Sequence, residues 1–318
     1  MKARMEPDLL ARGLKLSHLR FAAALGEEGG ISAAAAVVGI SQPAASRLAA
    51  EIEHLCGVPI YRRTGRGIAL TEAGARFAAR SARILREIGE AGREVGEIGQ
   101  GVSGQVAFGS VTGPAIDHAI PALRRTRLSY PGISVRIDVA ASDVLIPMLR
   151  SGQLDFAICR VPPGTDAGAF VQAPQAEEPI RFVARGGHPL CRDPGPVTDD
   201  ALLRYDWVLP PLGTILRSTI DLALRRAHKP PPQHVLTTSS FLFTLAYLRQ
   251  TNAVAPIATA LANSFASADP ADHDGITVLK TDLLVTVEPF ALVRRAGTSL
   301  TPAAATVFAE VERALMAR

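Results

Sequence analysis

The sequence has little cysteine, and its three cysteines are isolated from one another. Cys56, Cys159 and Cys191 are odd in number and stand far from any paired Cys/His spacing, so neither a disulfide framework nor a zinc site is indicated. Long hydrophobic runs are also missing, since none approaches the roughly 20 residues that span a bilayer. The opening segment MKARMEPDLLARGLK mixes acids with bases and lacks the apolar core of a signal peptide. We therefore expect a cytoplasmic protein with no membrane partner.

The sequence also lacks a catalytic constellation. None of its seven histidines has a metal-binding spacing, and no G-x-S-x-G element is present. His188 precedes a proline and is better explained as a loop residue than as a general base. The stretch GQGVSG, Gly99 to Gly104, matches G-x-G-x-x-G, but a helical pattern precedes it and a strand pattern follows, which reverses the order that dinucleotide binding needs. We interpret it as a flexible linker and expect no enzyme activity, no cofactor and no metal.

What is present is an ordinary globular composition with an uneven charge. The 318 residues are 47% hydrophobic and 20% charged, and this length favours two or three compact units over one. The net charge is only +4, but residues 1–86 hold 13 lysines and arginines against 7 acids, whereas residues 87–318 hold 21 against 23. The basic excess therefore lies in the N-terminal quarter of the chain.

The first 70 residues predict three helices followed by a hairpin. LKLSHLRFAAALGEEGG and ISAAAAVVG predict the first two helices, the second with Ser32 as a candidate N-cap. A third helix begins at Ser41, carries Pro43 in its first turn, where a missing N–H is harmless, and ends at Gly57. VPIYRRTGRGIALT predicts a two-stranded hairpin with Arg66 at its glycine-flanked tip.

The start of the third helix and the hairpin carry side chains that suit DNA. The helix offers Ser41, Gln42, Pro43, Ser46 and Arg47, and the hairpin offers Arg62, Arg63 and Arg66. A glutamine bonds adenine through two hydrogen bonds, an arginine addresses guanine or phosphate, and serines bond phosphate oxygens. Taken singly, Ser41 is explained as an N-cap and the arginines as a solvated rim. Their ordered combination predicts a helix-turn-helix that reads DNA.

From Thr71 to Val102 the chain predicts one long helix of about 45 Å. An apolar seam with 4,3,4,3 spacing runs along it: Phe77, Ser81, Ile84, Ile88, Ala91, Val95, Ile98 and Val102. Such a seam is typical of a coiled coil and indicates a dimer interface. The alternative is a helix that lies on its own globular domain.

Beyond residue 104, strand and helix patterns alternate. QVAFGSV, ISVRIDVAA and DFAICRV predict strands with helices between them, which is a βαβαβ unit, and a second series begins near PIRFVARGGHPL. We expect two α/β lobes joined by crossing segments, with a cleft between the lobes, rather than one continuous sheet.

The segment from Leu16 to Gly74 resembles the winged helix-turn-helix of LysR-type transcriptional regulators. The family pattern is matched by Ser41, Gln42, Pro43, Ser46, Glu53, Gly57, Arg63, Leu70, Thr71, Ala73 and Gly74. Cys56 and Tyr61 depart from the usual leucine and phenylalanine but keep an apolar body, and Ala33 to Ala36 make the second helix unusually small. GHPL, WVLPPLGTILR and the two-lobed order extend the resemblance over nearly the whole chain, and RGLKLSHLR resembles the branch that includes regulators of protocatechuate catabolism and of a galactose-binding protein.

The resemblance implies a transcriptional regulator with three parts. These are a mainly α winged helix-turn-helix at 1–70, a linker and dimerisation helix at 71–103, and a two-lobed α/β effector domain, similar to periplasmic binding proteins, at 104–318. One lobe would comprise 104–161 and 284–318, and the other 162–283. The implied partners are double-stranded promoter DNA, a small-molecule inducer, further copies in a homodimer or homotetramer, and RNA polymerase for an activator. A cytoplasmic solute-binding protein without DNA function is the alternative, but it leaves residues 1–100 unexplained.

Within α/β lobes, ligands bind beyond the carboxyl ends of strands. The candidate effector-binding residues at such positions are Ser110, Thr112, Ser142, Arg160, Thr214 and Ser239. A guanidinium beside several hydroxyls suits a carboxylate, which favours an anionic inducer over a neutral sugar. The alternative for Arg160 is a pairing with a neighbouring acid across the interlobe crossing.

Overall fold

The computed structural model describes residues 8–64, 67–98, 103–162, 164–165, 167–192, 195–267, 275–283 and 285–317. The chain divides into two compact units, Met1–Gly99 and Gln100–Arg318. Most of the expected linker GQGVSG, residues 99–102, lies outside the described residues.

The first unit is a helix-turn-helix with a hairpin and a long final helix. Its elements are α1 (Leu16–Glu28), α2 (Ile31–Val38), α3 (Gln42–Cys56), β1 (Tyr61–Thr64), β2 (Gly67–Leu70) and α4 (Glu72–Ile98). The first three helices each end at a glycine in the left-handed region, where a side chain would be strained. The N-cap of α2 is Gly30 and not Ser32, because the helix already begins at Ile31 and places Ser32 inside its first turn.

A close approach of backbone to backbone joins the hairpin to α4. Thr71 donates its hydroxyl to the Pro59 carbonyl at 2.8 Å and accepts the Gly74 N–H at 3.0 Å, so it both anchors the strand and caps the helix. A Cβ at Gly74 would overlap the carbonyl oxygen of Ile60. Glycine is therefore required at this position for α4 to begin where it does.

The second unit contains two lobes. Its elements are β3 (Gly104–Ser110), α5 (Thr112–Pro114), α6 (Ile120–Ser129), β4 (Ile133–Val139), α7 (Ser142–Ser151), β5 (Phe156–Cys159), β6 (Phe170–Arg185), α8 (Asp199–Leu202), β7 (Trp207–Leu209), α9 (Ile215–Arg226), β8 (Val235–Thr237), α10 (Phe241–Gln250), β9 (Ala255–Ala258), α11 (Thr259–Phe265), β10 (Ile276–Leu279), β11 (Thr286–Arg295) and α12 (Pro302–Met316). In the first lobe, β3 pairs in parallel with both β4 and β5, which confirms the predicted βαβαβ unit. The second lobe packs around Trp207 and Phe182, whose rings meet edge to face at 5.2 Å.

Two strands, β6 and β11, carry the chain between the lobes. The first half of β6 pairs with β11, which continues onto β5, whereas its second half pairs with β9 and β10. The first crossing therefore falls near 177–179, inside β6, later in the chain than the boundary expected after residue 161. The second falls at the start of β11, close to the expected boundary at 284.

His188 has a structural place in the second lobe. It is fully buried, its Nδ1 accepts the Leu190 N–H at 3.1 Å, and its Nε2 donates to the Asn252 carbonyl at 3.0 Å. Burial lowers the pKa of this imidazole. These contacts fit the expected structural role in a loop, because both ring nitrogens are engaged in hydrogen bonds to the backbone.

Candidate DNA-reading helix and ligand cleft

The start of α3 presents a polar turn to solvent while its opposite face is buried. Ser41 caps the helix, with its Oγ accepting the Ala44 N–H at 3.4 Å, so the structural explanation of this serine is correct and its O–H remains a donor. The exposed residues of the first two turns include Ser41, Gln42, Pro43, Ser46 and Arg47, whereas the buried face comprises Ala45, Ala49, Ile52 and Leu55. The residues expected to read DNA are therefore together on one accessible surface.

Three polar contacts that the sequence did not reveal hold α3 in place. Buried His18 accepts the Lys15 N–H at Nδ1 and meets Glu51 Oε2 through Nε2 at 2.9 Å. Arg12 donates to the His54 carbonyl at 2.8 Å, and Glu53 Oε1 accepts the Ile60 N–H at 3.0 Å. These contacts tie both the segment before α1 and the start of the hairpin to α3.

The hairpin is antiparallel, as predicted, with Arg62 opposite Ala69 and Arg63 opposite Ile68. Arg62 is exposed. The side chain of Arg63 and all of Arg66 lie outside the described residues, so their predicted phosphate contacts stay predictions.

The apolar seam of α4 divides into a covered and an uncovered part. Ser81 is fully buried and Phe77 packs on the core of its own unit, so for these turns the alternative of a helix lying on its own domain holds. Ile84, Ile88 and Val95 are instead 44%, 48% and 73% exposed. The side chain of Ile98 lies outside the described residues. For the uncovered part of the seam, pairing with a second helix stays a prediction.

A cavity of about 630 Å³ lies between the two lobes of the second unit. Five of the six expected effector-binding residues line it: Thr112, Ser142, Arg160, Thr214 and Ser239. Ser110 does not, because its side chain is fully buried and donates to the Val111 carbonyl at 2.9 Å. Much of the wall is apolar and includes Val139, Val144, Leu212 and Phe241.

Two helices of ten or more residues begin at the cavity without a side-chain cap. These are α7, whose N-cap is Ala141, and α9, whose N-cap Thr214 donates its hydroxyl to Pro211 instead. The free N–H groups of such helix starts favour negative charge. Helix α10, which also begins at the cavity, is capped by Ser240. The short helices α5 and α11 begin there as well, after Val111 and Ala258, without side-chain caps.

Arg160 is almost fully engaged by its own chain. Its Nη2 meets Glu178 Oε2 at 2.6 Å, its Nε donates to the Glu288 carbonyl at 2.5 Å, and only 6% of the side chain is exposed. Its backbone N–H donates to Ser142 Oγ at 3.1 Å. The alternative of an Arg160 that pairs with an acid at the interlobe crossing is thus correct.

Other chemistries find little support in the described part of the chain. No cluster of three or more His, Cys, Asp or Glu residues there is placed to hold a metal ion. Burial raises the pKa of each of the three thiols, that of Cys159 to about 12, which makes them poor nucleophiles. No helix among the described residues has the length and apolarity needed to span a membrane.

Family comparisons agree with both halves of this architecture. Residues 16–75 match the model of the bacterial regulatory helix-turn-helix protein, lysR family, and residues 99–316 match the LysR substrate binding domain. The chain is 41% identical over 259 residues to the HTH-type transcriptional regulator GbpR of Rhizobium radiobacter, covering 81% of this chain and 85% of that protein. It is 34% identical to GbpR of Azospirillum brasilense, covering 95% and 86% of the two chains.

Solved structures share the fold at low identity. A full-length OxyR variant from Pseudomonas aeruginosa aligns with a TM-score of 0.63 and 20% identity, covering 94% of each chain. Full-length CbnR in complex with its target DNA aligns with a TM-score of 0.62 and 19% identity, covering 95% of this chain and 100% of that one. Both therefore support the arrangement of a helix-turn-helix followed by a two-lobed domain.

Proposed function

This chain belongs to the family of LysR-type transcriptional regulators, and from this premise we propose that it binds a specific promoter site through α3 under the control of a carboxylate-bearing inducer. The observation that carries the DNA-binding half is the exposed surface of the first two turns of α3, which carries Gln42 and Arg47 and lies opposite a buried apolar face. Gln42 and Arg47 read bases, while Arg62, Arg63 and Arg66 position the protein on phosphates. Ser32, Ser41 and Ser46 add phosphate contacts, and Pro43 fixes the first turn.

The working form we propose is a cytoplasmic homo-oligomer. The uncovered part of the α4 seam, with Ile84, Ile88 and Val95, supports a dimer, and two such dimers would make the homotetramer that the resemblance implies. Paired DNA-reading heads then require half-sites about one helical turn or a multiple apart. RNA polymerase is a further partner if the protein activates transcription. The proposed parts are 1–70 for DNA, 71–103 for pairing and 104–318 for the effector.

The cleft supports an inducer with a carboxylate. The uncapped starts of α7 and α9 lie in its wall, and so do Arg160 and four residues with hydroxyl groups, Thr112, Ser142, Thr214 and Ser239. The apolar part of the wall suits the body of such a ligand. A neutral sugar is the second candidate, and the pairing of Arg160 with Glu178 favours it, because this pair already balances the arginine charge.

The test uses the full chain and the strongest ligand from a thermal-shift screen of aromatic acids, sugars and sugar acids. Arg160→Gln is expected to weaken a carboxylate ligand at least about 10-fold in calorimetry, because a charge-assisted contact is lost. The affinity for a neutral sugar should fall much less in the same variant. Equal affinity of the carboxylate for wild type and variant would make Arg160 purely structural and would remove the case for a carboxylate.

A further inference from the structure

Arg160, in the wall of the cleft, joins three strands. It lies directly after β5, its carboxylate partner Glu178 is on β6, and its carbonyl partner Glu288 is on β11. These last two strands are the ones that cross between the lobes. One guanidinium therefore ties the sheet of the first lobe to both crossing segments.

Gly113 leaves room for the carboxylate of Glu178. A Cβ at Gly113 would overlap Glu178 Oε1, so the missing side chain at this glycine makes the space for the carboxylate. Both Arg160 and Glu178 line the cavity, and the other charged residue in its wall is Asp143. Arg160 is thus the single cationic residue in the described part of the wall. It already forms an ion pair with Glu178 of the same chain.

This pairing is incomplete. Nη2 of Arg160 donates to the Glu178 carboxylate, and Nε donates to the Glu288 backbone carbonyl. The other terminal nitrogen, Nη1, has no hydrogen-bond partner among the described residues. A guanidinium binds a carboxylate best through two parallel N–H···O bonds. A free carboxylate in the cleft could make the bidentate contact that Glu178 does not make.

We infer that Glu178 competes with the carboxylate of a ligand for the guanidinium of Arg160. The ligand must displace Glu178 from this guanidinium in order to bind. The inference rests on the proposed inducer site and adds a residue that sets its affinity. Exchange keeps the buried guanidinium paired, which avoids the cost of an unpaired buried charge on the arginine; that cost then falls on Glu178, whose side chain is 13% exposed. Exchange also separates Glu178 from Arg160, so that ligand binding removes one of the two contacts of this guanidinium with the crossing strands, while the backbone pairing of β6 with β11 remains.

The competition is tested by removing the charge of Glu178 alone. Glu178→Gln keeps the size and a hydrogen-bonding oxygen but removes the negative charge, and Glu177→Gln is the matched control, since its side chain is exposed next to it in β6. The probe is acetate, exchanged for chloride at constant ionic strength, with acetamide as its neutral isostere. Trp207 is the single tryptophan and is fully buried in the second lobe, so its fluorescence reports unfolding of this unit in the full chain.

Acetate at about 100 mM should raise the unfolding temperature of Glu178→Gln by about 3 °C or more, because a ligand that binds only the native state stabilises it. Wild type and Glu177→Gln should respond much less, since a tethered carboxylate outcompetes a dilute one. Acetamide should have no such effect, and the double variant Glu178→Gln with Arg160→Gln should lose the response.

Equal acetate responses in wild type and Glu178→Gln, or none in Glu178→Gln, would overturn the competition. DNA binding measured on the same proteins separates this outcome from failure of the proposed function. A wild type that binds no DNA contradicts the regulator, whatever acetate does, whereas normal DNA binding with no acetate effect contradicts only the role given to Glu178.

Discussion

Aspartate at both position 84 and position 88 is expected to convert the oligomer into monomers. Ile84 and Ile88 are about half exposed within their own unit, so the substitutions should leave that unit folded. In a paired α4 they would place two charges per chain in an apolar seam without partners, and such burial costs several kcal/mol. Sedimentation velocity should show a shift to the monomer, with a dissociation constant raised on the order of 10³-fold or more.

Ala79→Asp is the control, because it adds a charge on an exposed position of α4 outside the seam. It should leave the oligomer intact. Trp207 fluorescence should be unchanged in both proteins, which shows that the second unit keeps its fold. An unchanged oligomer with both isoleucines replaced would contradict the α4 interface.

Gln42→Ala is expected to weaken binding to the specific site by about 1–3 kcal/mol, roughly 5- to 150-fold, and to change binding to random DNA little. Gln42 is the exposed first residue of α3, so its truncation removes a base contact without removing core packing. Fluorescence anisotropy on both DNAs measures the two affinities.

Arg62→Ala is the matched comparison, because Arg62 is exposed on the hairpin and is expected to contact phosphate. This substitution should lower the affinity for the specific and the random DNA by the same factor. It should also reduce the slope of log K against log salt by about one unit. If Gln42→Ala behaved in the same way as Arg62→Ala, the base-reading role of Gln42 would be wrong.

The first unit was largely predictable because its signals are local. Ser41 before a proline-bearing turn marks the start of α3 and Gly57 its end, and both positions are confirmed. The N-cap of α2 was misplaced because glycine, which caps without a side chain, competes with Ser32 for that position. The Gly74 requirement depends on the carbonyl of Ile60, which is brought close only by folding.

Features of the second unit that depend on strand register were not predictable. The 16-residue strand β6 contains prolines at 174 and 179 and many polar residues, which argue against a strand in sequence. The short α11 follows β9 without a loop and was missed. Ser110 ends a strand as expected, but its side chain is buried away from the cavity. The pairing of Arg160 with Glu178 follows from the strand order β5–β11–β6, in which both residues lie beside β11, and it leaves no pattern in the sequence.

The salt dependence of wild-type binding to its own promoter fragment tests the central claim most directly. A regulator that binds DNA through the basic first unit releases counterions, so log K should fall linearly with log salt at a slope of about −0.9 for each phosphate contacted. With six or more contacts, the affinity should drop on the order of 10³-fold between 50 and 200 mM salt. Absence of binding at 50 mM salt, or an affinity that does not change over this range, would contradict the account.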